Sequence, residues 1–97
     1  MPLNVKRKKL DESLSRYCFE GDVNIYTVSK LKKIIIDGLD QMNKIELDFN
    51  GIGKFDSAGL QLLVHISREA ERLNKDIVII GASDKVKEVF CTYDLCF

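Results

Sequence analysis

Residues 44–63 read Lys44-Ile45-Glu46-Leu47-Asp48-Phe49-Asn50-Gly51-Ile52-Gly53-Lys54-Phe55-Asp56-Ser57-Ala58-Gly59-Leu60-Gln61-Leu62-Leu63. Two periodicities meet in this stretch. Ile45, Leu47 and Phe49 alternate with Lys44, Glu46 and Asp48, which predicts a half-buried strand over Lys44–Phe49. From Ser57 to about Asn74 the spacing is helical: Leu62, Leu63, Ile66, Ala70 and Leu73 form an apolar stripe, opposite Gln61, His65, Arg68, Glu69 and Arg72. The glycine-bearing segment Asn50–Phe55 reads as the loop between them. Asp56 then stands where an N-cap is wanted, its carboxylate able to accept backbone N–H bonds at the positive end of the helix dipole.

Strand–loop–helix units extend outward in both directions. Upstream, Val28, Leu31, Ile35, Leu39 and Met42 predict a helix over Val28–Met42, with Thr27 as its cap. Residues 3–9 and 13–20 read as two short strands joined by Leu10-Asp11-Glu12, with Tyr17 and Phe19 on one face and Gly21-Asp22 as the end of the second. Downstream, the continuous apolar run Ile77–Ile80 suggests a central strand covered on at least one face. Ser83 would cap a last helix carrying Val86, Val89, Phe90 and Tyr93. The order is β-β-α-β-α-β-α, an α/β fold. An antiparallel hairpin is expected at one side and parallel pairing among the later strands, giving a mixed sheet with helices packed against it.

At 97 residues, 45% of them apolar, the chain is expected to be one globular domain spanning 1–97. Fifteen basic residues balance fifteen acidic ones, which argues against nucleic acid as a partner because phosphate binding needs clustered surplus cations. The run Lys6-Arg7-Lys8-Lys9 is better read as an edge strand blunted by charge. No signal peptide or membrane span is read, and Cys18, Cys91 and Cys96 lack CxxC spacing; buried thiols in a reducing, cytoplasmic compartment are expected.

Catalytic chemistry finds little support. A dinucleotide fingerprint built on Gly51 and Gly53 would need glycine at 56, where Asp56 stands. A phosphate loop would need glycine at 48 and Ser or Thr after Lys54, and the chain has Asp48 and Phe55. His65, the only histidine, lies about 12 Å along the helix from Ser57, too far to serve as its base. No metal set and no cofactor motif is present, so none is expected.

What stands out is the helix start itself. Ser57 would occupy its first exposed turn, and Gly59 costs helix stability, so either the neighbouring strand or a partner approaches the backbone there. The strand Ile45–Phe49, the glycine-bearing loop and Phe55-Asp56-Ser57-Ala58-Gly59-Leu60 resemble the signature of the STAS domain family. Gly21-Asp22-Val23-Asn24 with Thr27 and Leu31 resembles its first segment, and Gly81 through Phe90 its closing strand and helix. The resemblance implies a four-stranded mixed sheet with three or four helices mainly on one side, and no catalysis. It also implies, from the anti-sigma-factor antagonists, that Ser57 is the residue phosphorylated by an anti-sigma factor that is a serine kinase. On that reading Asn24, Ile25, Tyr26, Thr27, Lys54, Phe55, Asp56, Ala58 and Gly59 form the partner-binding surface, and phosphate on Ser57 breaks the complex.

Asn24 replaces an aspartate found in many sigma antagonists, and Gln61 replaces a glycine. Ile25-Tyr26-Thr27 and Asp56-Ser57-Ala58-Gly59-Leu60-Gln61 resemble free-standing STAS proteins encoded with bacterial chemotaxis or lipid-transport components. Two expectations therefore stand together: a phosphorylation-switched regulator bound by a serine kinase, and a constitutive accessory subunit of an ABC-type ATPase or chemotaxis complex. Neither involves membrane insertion, and the chain itself is expected to be a monomer or weak dimer.

Overall fold

A computed structural model describes residues 2–92. Its elements are β1 (Asn4–Lys9), β2 (Leu14–Val23), α1 (Val28–Gln41), β3 (Lys44–Phe55), α2 (Ser57–Arg72), β4 (Asp76–Ala82) and α3 (Asp84–Thr92). Tyr93 and Cys96 lie outside the described residues. The strands form one sheet in the order β1-β2-β3-β4, with β1 antiparallel to β2 and the other two ladders parallel. This is the expected mixed sheet with three helices.

Alternation decides which face receives the helices. Ser15, Tyr17, Phe19, Gly21 and Val23 of β2 are buried, as are Ile45, Leu47, Phe49, Ile52 and Phe55 of β3. Against them pack Leu31, Ile35 and Leu39 of α1, Leu60, Leu62, Leu63, Ile66 and Ala70 of α2, and Val86 and Phe90 of α3. Val28, Ile79 and Val89 close the rim of this core, half-buried. The opposite face carries Arg16, Cys18, Glu46 and Asp48, with Arg16 and Glu46 paired at 2.9 Å. Two lysines tie the layers together: Lys30 Nζ donates to the Leu3 carbonyl at 2.6 Å, and Lys75 Nζ donates to the Leu39 carbonyl in the last turn of α1.

Several expectations are corrected. The segment Asn50–Phe55 is strand, and β2 likewise continues past Gly21-Asp22 to Val23. The two extensions pair with each other, Gly21 beside Ile52, Asp22 beside Lys54 and Val23 beside Phe55. Gly21 absorbs the accompanying irregularity at φ +113°, where a side chain would also collide with the Pro2 carbonyl. Tertiary pairing thus overrides the low strand propensity of glycine. The apolar run in β4 lies at the sheet edge, not its centre, and leaves Val78 and Ile80 38% and 41% exposed. Leu73 is exposed because α2 ends at Arg72 and the chain turns away through Asn74 in the left-handed region, φ 57°. Cys18 is only half-buried and Cys91 is exposed, so neither is the buried thiol expected. The basic strand β1 does occupy the other edge.

Candidate functional site

The extended β2 and β3 end side by side, and each feeds a helix. The Asp56 N–H donates to the Val23 carbonyl at 3.2 Å, which fixes the start of α2 against the exit of β2. Asp56 is extended, φ −114° and ψ −176°, and its carboxylate accepts from the Ala58 N–H at 3.0 Å. The Gly59 and Leu60 N–H groups donate to its carbonyl. Asp56 is therefore the N-cap expected of it. Ser57 follows as the first helical residue, exposed, its hydroxyl without a hydrogen-bond partner among the described residues.

Next to it runs the turn from β2 into α1. Asn24 Oδ1 accepts from the Tyr26 N–H at 2.8 Å and the Thr27 N–H at 3.2 Å, and the Asn24 N–H donates to Thr27 Oγ1 at 3.0 Å. The Thr27 hydroxyl donates to the Asp22 carbonyl at 2.9 Å and caps no N–H of α1, contrary to expectation. The geometry is an Asx-turn, in which the Asn24 amide oxygen does the organising. Its product is a rigid, exposed apolar pair: Ile25 is 66% exposed and Tyr26 86%.

The expected site residues thus separate into two groups. Ile25, Tyr26, Lys54, Asp56 and Ser57 are exposed, with Asn24, Thr27 and Ala58 partly so. Phe55 and Gly59 are buried beneath them. Phe55 is no surface anchor. Its ring lies 6.3 Å from that of Phe49 and 6.3 Å from that of Phe90, between them in an aromatic series that runs from Phe90 to Tyr17 through Phe49 and Phe19. What approaches Gly59 closely is this core: a Cβ there would stand 2.7 Å from Val23 Cγ1 and 2.8 Å from Phe55 Cε1. Asp48 does not join the site either. It sits mid-strand on the helix-free face, accepting from the Asn50 N–H at 2.9 Å. Strand alternation already set Asp48 on the face opposite Leu47 and Phe49, whereas it could not have flagged Phe55, because strand phase is lost across Gly51 and Gly53.

The resulting surface is shallow and rigid. It offers an exposed hydroxyl at a helix N-terminus, a carboxylate beside it, a lysine, and an aliphatic–aromatic pair a few residues away in space. Such a surface can pack against a protein and can carry a phosphate at Ser57, where the helix dipole stabilises an anion by about 0.3–1 kcal/mol. His65 is exposed farther along α2. Among the described residues no group of three His, Cys, Asp or Glu side chains could hold a metal ion.

Comparison with known proteins identifies the family and the fold. A family model described as "Mlab, STAS domain" matches residues 19–96. The chain is 27% identical over 71 residues to the anti-sigma-B factor antagonist of Staphylococcus aureus (strain NCTC 8325 / PS 47), a match covering 72% of the chain and 66% of that relative's own length. Among solved structures, the anti-sigma factor antagonist SpoIIAA in its unphosphorylated form superposes with a TM-score of 0.78 at 18% identity, covering 95% of this chain and 82% of that one. Its phosphorylated form, described as a Bacillus cell fate determinant, gives 0.72 at 18% identity over 95% and 85%. An anti-sigma factor antagonist from Mycobacterium paratuberculosis gives 0.82 at 13% identity over 95% and 78%.

Proposed function

The chain belongs to the STAS domain family, and from that membership we propose that it is a non-catalytic, cytoplasmic regulator of the anti-sigma-factor-antagonist kind. It docks a serine-kinase anti-sigma factor through the start of α2 and the Ile25–Tyr26 turn, and phosphorylation of Ser57 switches it off. The observation that carries this reading is Ser57 itself: exposed, unpartnered among the described residues, and directly after the N-cap Asp56. The neighbour SpoIIAA is known in an unphosphorylated and a phosphorylated form, which supports a two-state reading of the fold. A phosphate brings roughly −1.5 to −2 charges to the surface, beside the Asp56 carboxylate, where a closely packed partner would have to desolvate them.

The contacts divide by burial. Asn24, Ile25, Tyr26, Thr27, Lys54, Asp56 and Ala58 meet the partner, while Phe55 and Gly59 hold that surface in shape from below. Recovery of partners from the native host tests this, with phosphopeptide mapping of Ser57. Ser57→Glu should weaken binding at least tenfold, about 1.4 kcal/mol, and Ser57→Ala should bind normally yet resist phosphorylation. Unchanged recovery with both Ser57→Glu and Tyr26→Ala would move the docking site elsewhere.

One observation favours a second reading. Asn24 is an amide whose oxygen is consumed in its own turn, so position 24 itself offers kinase recognition no carboxylate. A constitutive accessory subunit, docked on an ABC-type ATPase or a chemotaxis component, has no need of one. It would show Ser57 unmodified in cells, with Tyr26→Ala still breaking the complex.

A further inference from the structure

The two edges of the sheet are treated differently. β1 carries Lys6, Arg7, Lys8 and Lys9 along its exposed length, the ordinary defence against edge-to-edge pairing. β4 carries Ile77, Val78, Ile79 and Ile80, and among the described residues no strand pairs with its outer side. Its ladder to β3 is regular from Asp76 to Ile79 and shifts register at Ile80, so Asp76–Ile79 is the uninterrupted part of this open edge. Among the described residues, four of the seven exposed large apolar side chains lie here, Val64 and Leu73 on α2 and its C-cap and Val78 and Ile80 on the face of β4 turned away from the helices. A groove runs beside this edge, with Leu63, Val64, Ile79 and Phe90 as its apolar lining and Arg68 and Glu71 among its polar residues. Arg68 and Glu71 are exposed and form no ion pair among the described residues.

We propose that β4 pairs antiparallel with β4 of a second copy of this chain, about a two-fold axis at Val78, joining two four-stranded sheets into one. Self-complementary charge identifies a second copy as the occupant. Centring on Val78 sets Ile77 of one copy opposite Ile79 of the other. Arg68, Glu71 and Ile79 line one groove, and Glu71 borders in addition the hollow that reaches Ile77. The axis therefore brings Arg68 of each copy toward Glu71 of its partner, giving two equivalent ion pairs, as an isologous interface requires. Because the axis is perpendicular to the sheet, both helical layers stay on the same face and the two α2 helices run antiparallel across it. Three regularly paired residues, Ile77–Ile79, and one helix face fall short of the roughly 800 Å² per partner of a standard interface, so the dimer is weak and salt-sensitive. It leaves the α2 start open, because Arg68 lies about 16 Å along the helix from Ser57.

Sedimentation equilibrium of the whole chain, from micromolar to millimolar concentration, tests this independently of any partner. A reversible monomer–dimer equilibrium is expected. Val78→Lys, which sets two ammonium groups against each other at the axis, and Arg68→Glu should each raise the dissociation constant at least tenfold with an unchanged far-UV spectrum, and Ile80→Asp, opposite the partner's Asp76, gives the same reading if Val78→Lys unfolds. The double variant Arg68→Glu/Glu71→Arg should recover the wild-type constant to within about threefold, since it only exchanges the two ends of each pair. A monomer at every concentration overturns the proposal, whatever extended segment of another protein the edge might accept. So does a dimer indifferent to Val78→Lys and Arg68→Glu, or a double variant no better than its parents.

Discussion

Gly59 and Phe55 touch across the first turn of α2: a Cβ on Gly59 would stand 2.8 Å from Phe55 Cε1 and, on its other side, 2.7 Å from Val23 Cγ1. Both neighbours are buried and neither is the free end of a flexible chain. The absence of one methyl group lets the helix start sit directly on the paired ends of β2 and β3, and so sets where Ser57 is displayed.

Gly59→Ala should therefore destabilise the protein by about 1–3 kcal/mol, because overpacking outweighs the gain of up to about 1 kcal/mol in helix propensity. Urea unfolding measures it. A stabilised variant would mean that the α2 start can lift away from Phe55 without cost.

Ser15 is fully buried on β2 and its hydroxyl has no partner. An unsatisfied buried hydroxyl costs about 1–3 kcal/mol, so Ser15→Ala should leave stability unchanged or raise it by about 1 kcal/mol. A loss larger than about 1 kcal/mol in the same unfolding assay would show that the hydroxyl is satisfied in solution.

The Lys75 ammonium donates to the Leu39 carbonyl, a cation at the C-terminal end of α1. Lys75→Met keeps most of the aliphatic stem and removes the charge. It should cost about 1–2 kcal/mol, and raised salt should narrow the gap to wild type only slightly because Lys75 is partly shielded from solvent. Thermal unfolding at low and high salt reads both effects.

Asn24 organises its turn through its side-chain oxygen alone, accepting from Tyr26 and Thr27. Asn24→Ala should lose about 1 kcal/mol and loosen the Ile25–Tyr26 pair, whereas Asn24→Asp keeps both acceptors and should fold as well as wild type. If the regulator reading is right, Asn24→Asp should also phosphorylate at least as fast as wild type when incubated with the cognate kinase.

Leu31, Ile35 and Leu39 of α1, and Leu62, Leu63, Ile66 and Ala70 of α2, were legible in the sequence as buried stripes, and they are buried. A helix closes its own hydrogen bonds, so its apolar face follows from the 3.6-residue repeat alone. The phase of Ile45, Leu47 and Phe49, the cap at Asp56 and the charged edge β1 were local in the same sense. Tertiary structure decided the rest. Gly51 and Gly53 lie in a strand because β2 runs alongside them, and a strand's hydrogen bonds belong to whatever segment lies next to it. Ile77–Ile80 stands at an edge because β3 is its only neighbour among the described residues, a fact of strand order that an apolar run does not carry. Phe55 and Gly59 passed from the surface to the core for the same reason. Their surroundings include Val23 and Phe90, residues distant in the chain that meet only when the sheet has formed.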